Sequence, residues 1–467
     1  MVESKHKFST DDILKVTGGR LRKGSLSSSF TDISTDSRTI KPGELFIALN
    51  GEHFDGSRFV SGAYEKGAHG AIVRKGAGEK EWDGKGAIIE VEDSLNALGD
   101  IARFWRMKHP IPLIGITGSN GKTTTKEMIG IILEKSFSIL QTEGNFNNLV
   151  GLPLTLLRLK QGHEIAILEM GTNARSEIKR LSEISTPDIA VITNIGQAHL
   201  EGLHTIEEVM AEKGELFSAL REDSFAIINK DDPRVLHLAS QCRCRKISFS
   251  TTKKADLMAK EISVSDSGRV RFQLSNGSKD IAVNLPLYGI FNVHNALAAA
   301  GVAIALGVGL ETIKEGMEGI KPPPGRMEVI ELDRYTIIND TYNANPSSME
   351  QALKTLAGIK GRGRAVAVLG DMFELGEFTE SAHIEIGRLV SGLGIDFLLT
   401  LGRQSENICR GAYEGGMGAE NIYTGEKHQA VASKLRAIIG KGDYILVKGS
   451  RAMKMELIIE ELMAETG

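Results

Sequence analysis

One stretch limits what this chain can fold into more than any other. Residues 111–130 read IPLIGITGSNGKTTTKEMIG. The first seven are apolar and β-rich, as in a buried strand. Gly118, Ser119, Asn120 and Gly121 then make a small, flexible turn. Lys122, Thr123, Thr124 and Thr125 open a run in which Met128, Ile129, Ile132 and Leu133 share one helical face. Strand, glycine turn, Lys-Thr and helix together form a phosphate cradle, because backbone N–H groups and the helix N-terminus face an anion. In such a cradle Lys122 reaches the β- and γ-phosphates and the Thr123 hydroxyl binds Mg²⁺. The spacing departs from the usual pattern once: Ile116 stands five residues before Gly121, where a glycine is usual. The plain alternative is a glycine turn into an ordinary helix. It leaves the coincidence of Gly-Lys-Thr with its strand–helix context unexplained.

At 467 residues the chain exceeds one typical domain, and about three are expected. Lys+Arg (56) nearly balances Asp+Glu (60), so the basic excess of a nucleic-acid binder is absent and no such partner is expected. Cys242, Cys244 and Cys409 are too few for a disulfide framework, and the first two are too few to hold a metal alone. A reducing cytoplasm is the simplest setting. Residues 1–7 are polar with no apolar segment after them, so a secretory signal is not expected. The longest apolar run, 296–310, is shorter than the ~20 residues a membrane span needs.

The expected fold class is α/β, in three domains at 1–109, 110–325 and 326–467. The first has helical spacing at 10–16, a strand at 45–49, helix then strand over 63–73, a strand at 86–91 and an amphipathic helix at 94–108. His109-Pro110 marks its end. From 111 onward strand and helix alternate, with strands at 165–168, 189–195 and 225–228, which implies a parallel sheet with crossover helices. Alternating residues and Ser/Gly turns over 254–286 suggest a small antiparallel insertion, and a helix at 292–306 follows. The segment 321–325, Lys-Pro-Pro-Pro-Gly, reads as a stiff linker. Beyond it, strands at 335–338, 365–369, 397–401 and 444–447 make a third α/β unit.

Polar groups collect at the C-terminal ends of these strands, where open α/β sheets bind ligands. Glu169 ends one strand, as either a magnesium ligand or a solvated acid. His199 sits in a glycine-rich strand-end loop, as either a ligand or a structural histidine. Lys213, on a helix at 205–220, looks by itself like a surface lysine. Asn292 and Asn295 begin a helix at i and i+3, where one caps it or both face a base or phosphate. Arg326, just past the linker, has the reach to meet a phosphate across a cleft. Asp340, Asn343, Asp371, Glu374 and Lys448 follow strands and say little in isolation.

Taken in order, the stretches say more. TGSNGKTTTKE (117–127), EMGTN (169–173), TNIGQAHLEG (193–202), the helix-borne Lys213, FNVHNALAA (291–299), GRMEV (325–329), NDTYNANPSSM (339–349), LGDMFELG (369–376) and VKGSR (447–451) follow an amino-terminal DSRTIKPGELFIALNG. Along nearly its whole length the chain resembles the Mur ligase family. NDTYNANP and LGDMFELG are the stretches most specific for the member that joins D-Ala-D-Ala to UDP-MurNAc-tripeptide. The resemblance implies a small α/β UDP-substrate domain, a central P-loop ATPase domain with a parallel sheet, and a C-terminal Rossmann-like domain. It also implies an ATP-dependent ligase that forms an amide through an acyl phosphate, with two Mg²⁺ ions and a carbamylated lysine at Lys213. A cytoplasmic monomer with small-molecule substrates is expected.

Carried over residue by residue, the resemblance gives Gly118, Ser119, Asn120, Gly121, Lys122, Thr123 and Thr124 to the ATP phosphates. Asn292 and Asn295 go to the neighbourhood of adenine, and Arg326 and Asp340 also to ATP. The metal set is Thr123, Glu169, His199 and Lys213. Lys122, His199, Lys213 and Arg326 are the catalytic group. Substrate contacts fall to Asp36, Ser37 and Arg38 for the uridine nucleotide, Asn147 and Asn148 for the peptide, and Asn343, Lys448, Ser450 and Arg451 in the last domain. Phe291 departs from the family pattern, in which histidine is common there. Three rival readings remain. A diamino-acid-adding sibling carries Asp-Asn-Pro-Arg in its last domain, which this chain lacks. A folylpolyglutamate synthase-like ligase lacks the long amino-terminal domain. A non-ligase nucleotide switch makes no amide.

Overall fold

In a computed structural model, residues 7–51, 54–77, 86–265, 268–361 and 363–464 are described; most of the polar amino-terminal stretch read above for a signal lies outside them. The chain divides into two compact units, the first made of residues 1–113, 140–170 and 180–186, the second of 114–139, 171–179 and 187–467.

In the first unit, a five-stranded sheet runs in the order Arg20–Lys23, Ala87–Val91, Gly70–Arg74, Leu45–Ile47, Ile33–Ser34. Only the Arg20–Lys23 edge pairs antiparallel. Helix Thr10–Thr17 starts in a capping box, in which the Ser9 side chain accepts from the Asp12 N–H and the Asp12 carboxylate from the Ser9 N–H. Helix Ser94–Met107 is capped by Asp93 and ties itself to later segments of the unit. Trp105 Nε1 donates to Leu159 O (3.0 Å), and Arg106 Nε to Ser185 O (3.1 Å).

The second unit holds two sheets. In one, strands Leu113–Thr117, Ile189–Ile192, Phe225–Asn229, Arg245–Ser250, Leu257–Val264, Arg269–Ser275 and Asp280–Tyr288 neighbour one another in that order. The first five pair parallel and the last three antiparallel. The antiparallel strands expected over 254–286 are therefore present, but they prolong this sheet instead of standing apart. Leu257 and Met258 pair with Phe249 and Ser250. Helix Phe291–Ala305 is buried on nearly every face, which its Ala-rich sequence permits by allowing close approach. Cys242 and Cys244 are joined in a disulfide that spans a single intervening residue, while Cys409 is free.

The other sheet runs Glu328–Glu331, Tyr335–Asp340, Asp443–Lys448, Ala365–Gly370, Phe397–Leu401, Ile422–Gly425, parallel except at its first pair. Its inner strands Ala365–Gly370 and Phe397–Leu401 are buried almost throughout. Ala365, Ala367 and Leu369 pack with helices Pro346–Ile359 and Thr379–Gly392, while Val366 and Val368 pack with His428–Ile438 and Glu456–Met463. A parallel sheet covered on both sides demands such unbroken apolar strands. The register sets Asp340 opposite Lys448, so the polar ends of these strands line up. No helix among the described residues is long and apolar enough to cross a membrane.

Candidate active site

The phosphate loop begins where the buried strand Leu113–Thr117 ends. Gly118 takes φ +147° and Gly121 φ +80°, after which helix Lys122–Leu133 starts. Only glycine fits at either place. A Cβ on Gly118 would lie 1.9 Å from Thr193 Oγ1, and one on Gly121 2.3 Å from Asn295 Oδ1. The next strand's end braces the turn. Ser119 Oγ donates to Gly196 O (2.9 Å) and accepts from the Gly196 N–H (2.8 Å). The Asn120 N–H donates to Asn194 Oδ1 (3.0 Å), and its carbonyl accepts from Asn194 Nδ2 (3.0 Å) and Thr193 Oγ1 (2.5 Å). Lys122 Nζ folds back to donate to Gly118 O at 2.6 Å, and Thr123 is buried at the helix start beside the half-buried Thr124.

Asn292 and Asn295 do share a helix face, and both are buried behind the loop. Asn292 Nδ2 donates to Tyr288 O (2.7 Å), Asn295 Nδ2 to Asn292 Oδ1 (2.8 Å), and Asn295 Oδ1 accepts from Thr125 Oγ1 (3.3 Å). The pair thus supports the helix and turn that carry Lys122.

His199 closes the loop that follows strand Ile189–Ile192 and takes a left-handed φ of +57°. Its Nδ1 lies 2.7 Å from Glu374 Oε2. Burial pushes the imidazole pKa below its ordinary value, even though Glu374 pulls the other way, while the bond from His199 holds Glu374 below the usual carboxylate range. Burial therefore disfavours the charged imidazole, and the contact suits an Nδ1–H donating to the carboxylate. Lys213 lies on helix Ile206–Ser218 and is fully buried, and among the described residues its Nζ has no hydrogen-bond partner. Its neighbour Glu212 is committed elsewhere, accepting from the Ser176 N–H (2.6 Å), the Ile178 N–H (2.7 Å) and Thr172 Oγ1 (3.2 Å). Burial, with the Lys122 charge second, holds the Lys213 amine well below its ordinary pKa. Lys213 is thus no surface lysine: it is a buried amine whose surroundings disfavour the charged form. The Lys122 charge bears on Lys213, His199 and Glu374 together.

From the last sheet, two stretches reach this group. Asn345 Nδ2 donates to Asn120 Oδ1 (2.9 Å), and Glu374 meets His199 by its side chain, while its carbonyl accepts from the nearby Glu201 N–H (3.0 Å). Asp340 and Lys448 are brought together as a buried pair at 2.5 Å, and Lys448 also donates to Asn343 O (3.0 Å). Asn343 Oδ1 accepts from the Ala344 N–H, and Ser450 Oγ from the Phe373 N–H. The Arg326 guanidinium lies 3.8 Å from the Tyr342 ring centroid, a cation–π contact. Arg451 is exposed and pairs with Glu456.

Five other substrate candidates lie in the first unit. Arg38 grips Asp36 through Nε and a terminal nitrogen (2.9 and 2.8 Å), which holds the Asp36 carboxyl down to about 2; Ser37 lies between them. Asn147 Nδ2 donates to Glu169 Oε1 (2.9 Å), so it orients that buried acid. Asn148 Oδ1 accepts from the Val150 and Gly151 N–H groups, where helix Gly151–Leu156 begins.

Asn345, Asn194 and Thr193 were not singled out from sequence. Asn345-Pro346 carries a signal for a helix cap, and the structure gives it that role together with the bond to Asn120. Among the described residues no three His, Cys, Asp or Glu side chains form a ready metal cluster.

Three family profiles match the chain: "Mur ligase family, catalytic domain" over residues 29–106, "Mur ligase middle domain" over 116–303 and "Mur ligase, glutamate ligase domain" over 325–451. The UDP-N-acetylmuramoyl-tripeptide–D-alanyl-D-alanine ligase of Bacillus subtilis is 37% identical over 433 residues, covering 92% of this chain and 93% of that protein. A crystal structure of MurF from Acinetobacter baumannii superposes with a TM-score of 0.90 at 31% identity, over 99% of this chain and all of that one. MurF from Thermotoga maritima in complex with ADP gives 0.83 at 29% identity, over 93% and 97%.

Proposed function

The chain belongs to the Mur ligase family, and from that premise we propose that it joins D-Ala-D-Ala to UDP-MurNAc-tripeptide, driven by ATP, in peptidoglycan precursor synthesis. One observation carries the reading. The two stretches most specific for that activity, NDTYNANP and LGDMFELG, supply Asn345 and Glu374, the residues that touch the phosphate loop and His199. The three domains are taken as 1–109, 110–325 and 326–467, in a cytoplasmic monomer.

A carboxylate resists attack by an amine because its leaving group is poor. The γ-phosphoryl group of ATP therefore passes first to the tripeptide carboxylate, giving an acyl phosphate. The amine of D-Ala-D-Ala attacks the acyl carbon, and phosphate leaves from the tetrahedral intermediate. Lys122 and Arg326 offset charge that develops on the transferring phosphoryl. The loop N–H groups, braced through Ser119 and Asn120, hold the phosphates without rearranging. Asp340 and Lys448 fix the strand ends that carry Asn343 and Ser450 toward the incoming dipeptide. Asp36, Ser37 and Arg38 bind the uridine nucleotide, and Asn147, Asn148 and Arg451 complete the substrate contacts.

Magnesium fits the oxygen donors of this set, Thr123, Glu169 and a carbamate on Lys213, with His199 adding one nitrogen. It takes few protein groups, so a ready three-residue cluster is not required. Thr123, Glu169, His199 and a modified Lys213 would hold two ions, which supply positive charge at the phosphoryl oxygens. An ammonium has no lone pair to offer a metal, and among the described residues Lys213 Nζ has no hydrogen-bond partner. Its neutral amine suits addition to CO₂: the N–C bond forms, one proton leaves to solvent, and a carbamate with two oxygens replaces the amine. Lys213→Ala is then expected to be nearly inactive, with partial recovery in acetate, and Lys213→Arg equally inactive. Full activity of Lys213→Arg in CO₂-depleted buffer contradicts the carbamate.

Mass analysis of the product tests the function. With ATP, UDP-MurNAc-tripeptide and D-Ala-D-Ala, the pentapeptide nucleotide is expected. A diamino acid joined to UDP-MurNAc-dipeptide, glutamate joined to a folate, or nucleotide hydrolysis with no amide would each replace this reading by one of its rivals.

A further inference from the structure

We propose that Glu374 is a positioning residue: from the C-terminal sheet it fixes the ring orientation and tautomer of His199. The inference rests on the reading above, in which His199 holds a metal. The 2.7 Å contact joins Glu374 Oε2 to Nδ1. An acceptor on Nδ1 places the proton there and leaves the lone pair on Nε2, the arrangement that carboxylate–histidine–metal groups use. A free neutral imidazole side chain prefers the opposite tautomer, so the acceptor has to be held in place.

Glu374 is held. The Met372 N–H donates to His383 Nε2 (2.9 Å) and the Phe373 N–H to Ser450 Oγ (2.9 Å), while the Asp371 carboxylate accepts from the Arg403 and Gln404 N–H groups. Glu374 then turns at φ +62°, against His199 at φ +57°. Left-handed backbone is uncommon for residues with a side chain and persists when the surroundings enforce it. The backbone bond from the Glu201 N–H to Glu374 O secures the meeting a second time. A half-exposed pair is worth little as a stability device. Its consequence lies in what it does to the ring.

The test reads the ring directly. The ¹⁵N spectrum of the histidines is recorded at pH 8.5 on the full chain without nucleotide, with His199 assigned from the spectrum of His199→Gln. Wild type is expected to show His199 protonated on Nδ1. Glu374→Ala should shift it toward Nε2–H, whereas Glu374→Gln, which keeps an acceptor oxygen, should hold the ring largely in place. In a titration of the protein with Mn²⁺ and ADP, followed by electron paramagnetic resonance, Glu374→Ala should need ~10–100-fold more Mn²⁺, in line with loss of an outer partner of a metal ligand. Glu374→Gln should lie between, and the exposed Glu377→Ala should match wild type. Identical His199 shifts in wild type and Glu374→Ala, or an unchanged Mn²⁺ requirement, would overturn the proposal. A wild-type chain that makes no amide overturns the ligase reading alone, since the ring spectra are read without substrates.

Discussion

Lys213 carries two opposed demands. The fold buries its amine completely and, among the described residues, gives Nζ no partner, and the proposed carbamate would form on that same nitrogen. Such an orphan costs about 1–3 kcal/mol. Lys213→Met should therefore raise stability by about that amount in CO₂-depleted, metal-free buffer while abolishing turnover. The pH dependence has a fixed sign. The folded pKa lies below the ordinary 10.5, so between the two values the unfolded chain binds the extra proton and wild-type stability rises with pH. The gap between wild type and Lys213→Met should narrow toward pH 10.5. Thermal or urea melts from pH 7 to 10 check this, and a constant gap contradicts it. Lys122 differs. Its Nζ bonds the Gly118 carbonyl, but the turn rests mainly on Gly118, Gly121 and Ser119, so Lys122→Ala should cost no more than about 1 kcal/mol of stability and lose ~10² or more in kcat. Near-wild-type turnover would remove its role. The loop was legible because its glycines, lysine and threonine are contiguous. The burial of Lys213 was not, because the chain that covers it is remote in sequence. The i, i+3 spacing of Asn292 and Asn295 correctly gave one face, but their partners Gly121 and Thr125 lie about 170 residues earlier.

At the scale of elements, the phosphate loop is a junction. Three segments converge on its turn: 193–196, helix Phe291–Ala305 and the start of helix Pro346–Ile359. Asn345 serves two of these contacts at once, since its Oδ1 accepts from the Ser348 N–H as a helix cap while its Nδ2 donates to Asn120. Substitution can separate the roles. Asn345→Ser keeps a capping oxygen, and its melting temperature should stay near wild type. Asn345→Ala should lose about 1 kcal/mol. Both should raise the KM for ATP, measured by phosphate release, because both lose the bond to Asn120. An unchanged KM in both would confine Asn345 to capping. The doubly covered strands of the last sheet were readable from their apolar runs, as at 365–369 and 397–401. Glu328–Glu331 and Ile422–Gly425 were not, because both are short edge strands whose pairing comes from tertiary partners. For the same reason the antiparallel strands after 254 read as a separate insertion: nothing local in Leu257 or Met258 says that they extend an existing sheet.

For the molecule as a whole, phosphate chemistry and substrate choice meet at two places, Asn120–Asn345 and His199–Glu374. The central sheet supplies loop, imidazole and buried amine, and the last sheet supplies the residues that touch the first two. The stretches most specific for the dipeptide-adding member thus touch the phosphate loop and His199 directly. This explains why motifs in order along the chain revealed the activity better than any single residue did. Asp340, Asn343, Glu374 and Lys448 were weak signals one by one, and they acquire meaning only from the parallel register that aligns strand ends. The central claim is that phosphate leaves from an acyl phosphate of the tripeptide carboxylate, not from water attack on ATP. Oxygen labelling tests it most directly. With the acceptor carboxylate of UDP-MurNAc-tripeptide labelled with ¹⁸O, and with ATP and D-Ala-D-Ala present, one labelled oxygen should appear in each phosphate released. Phosphate that takes its new oxygen from solvent instead would contradict the account.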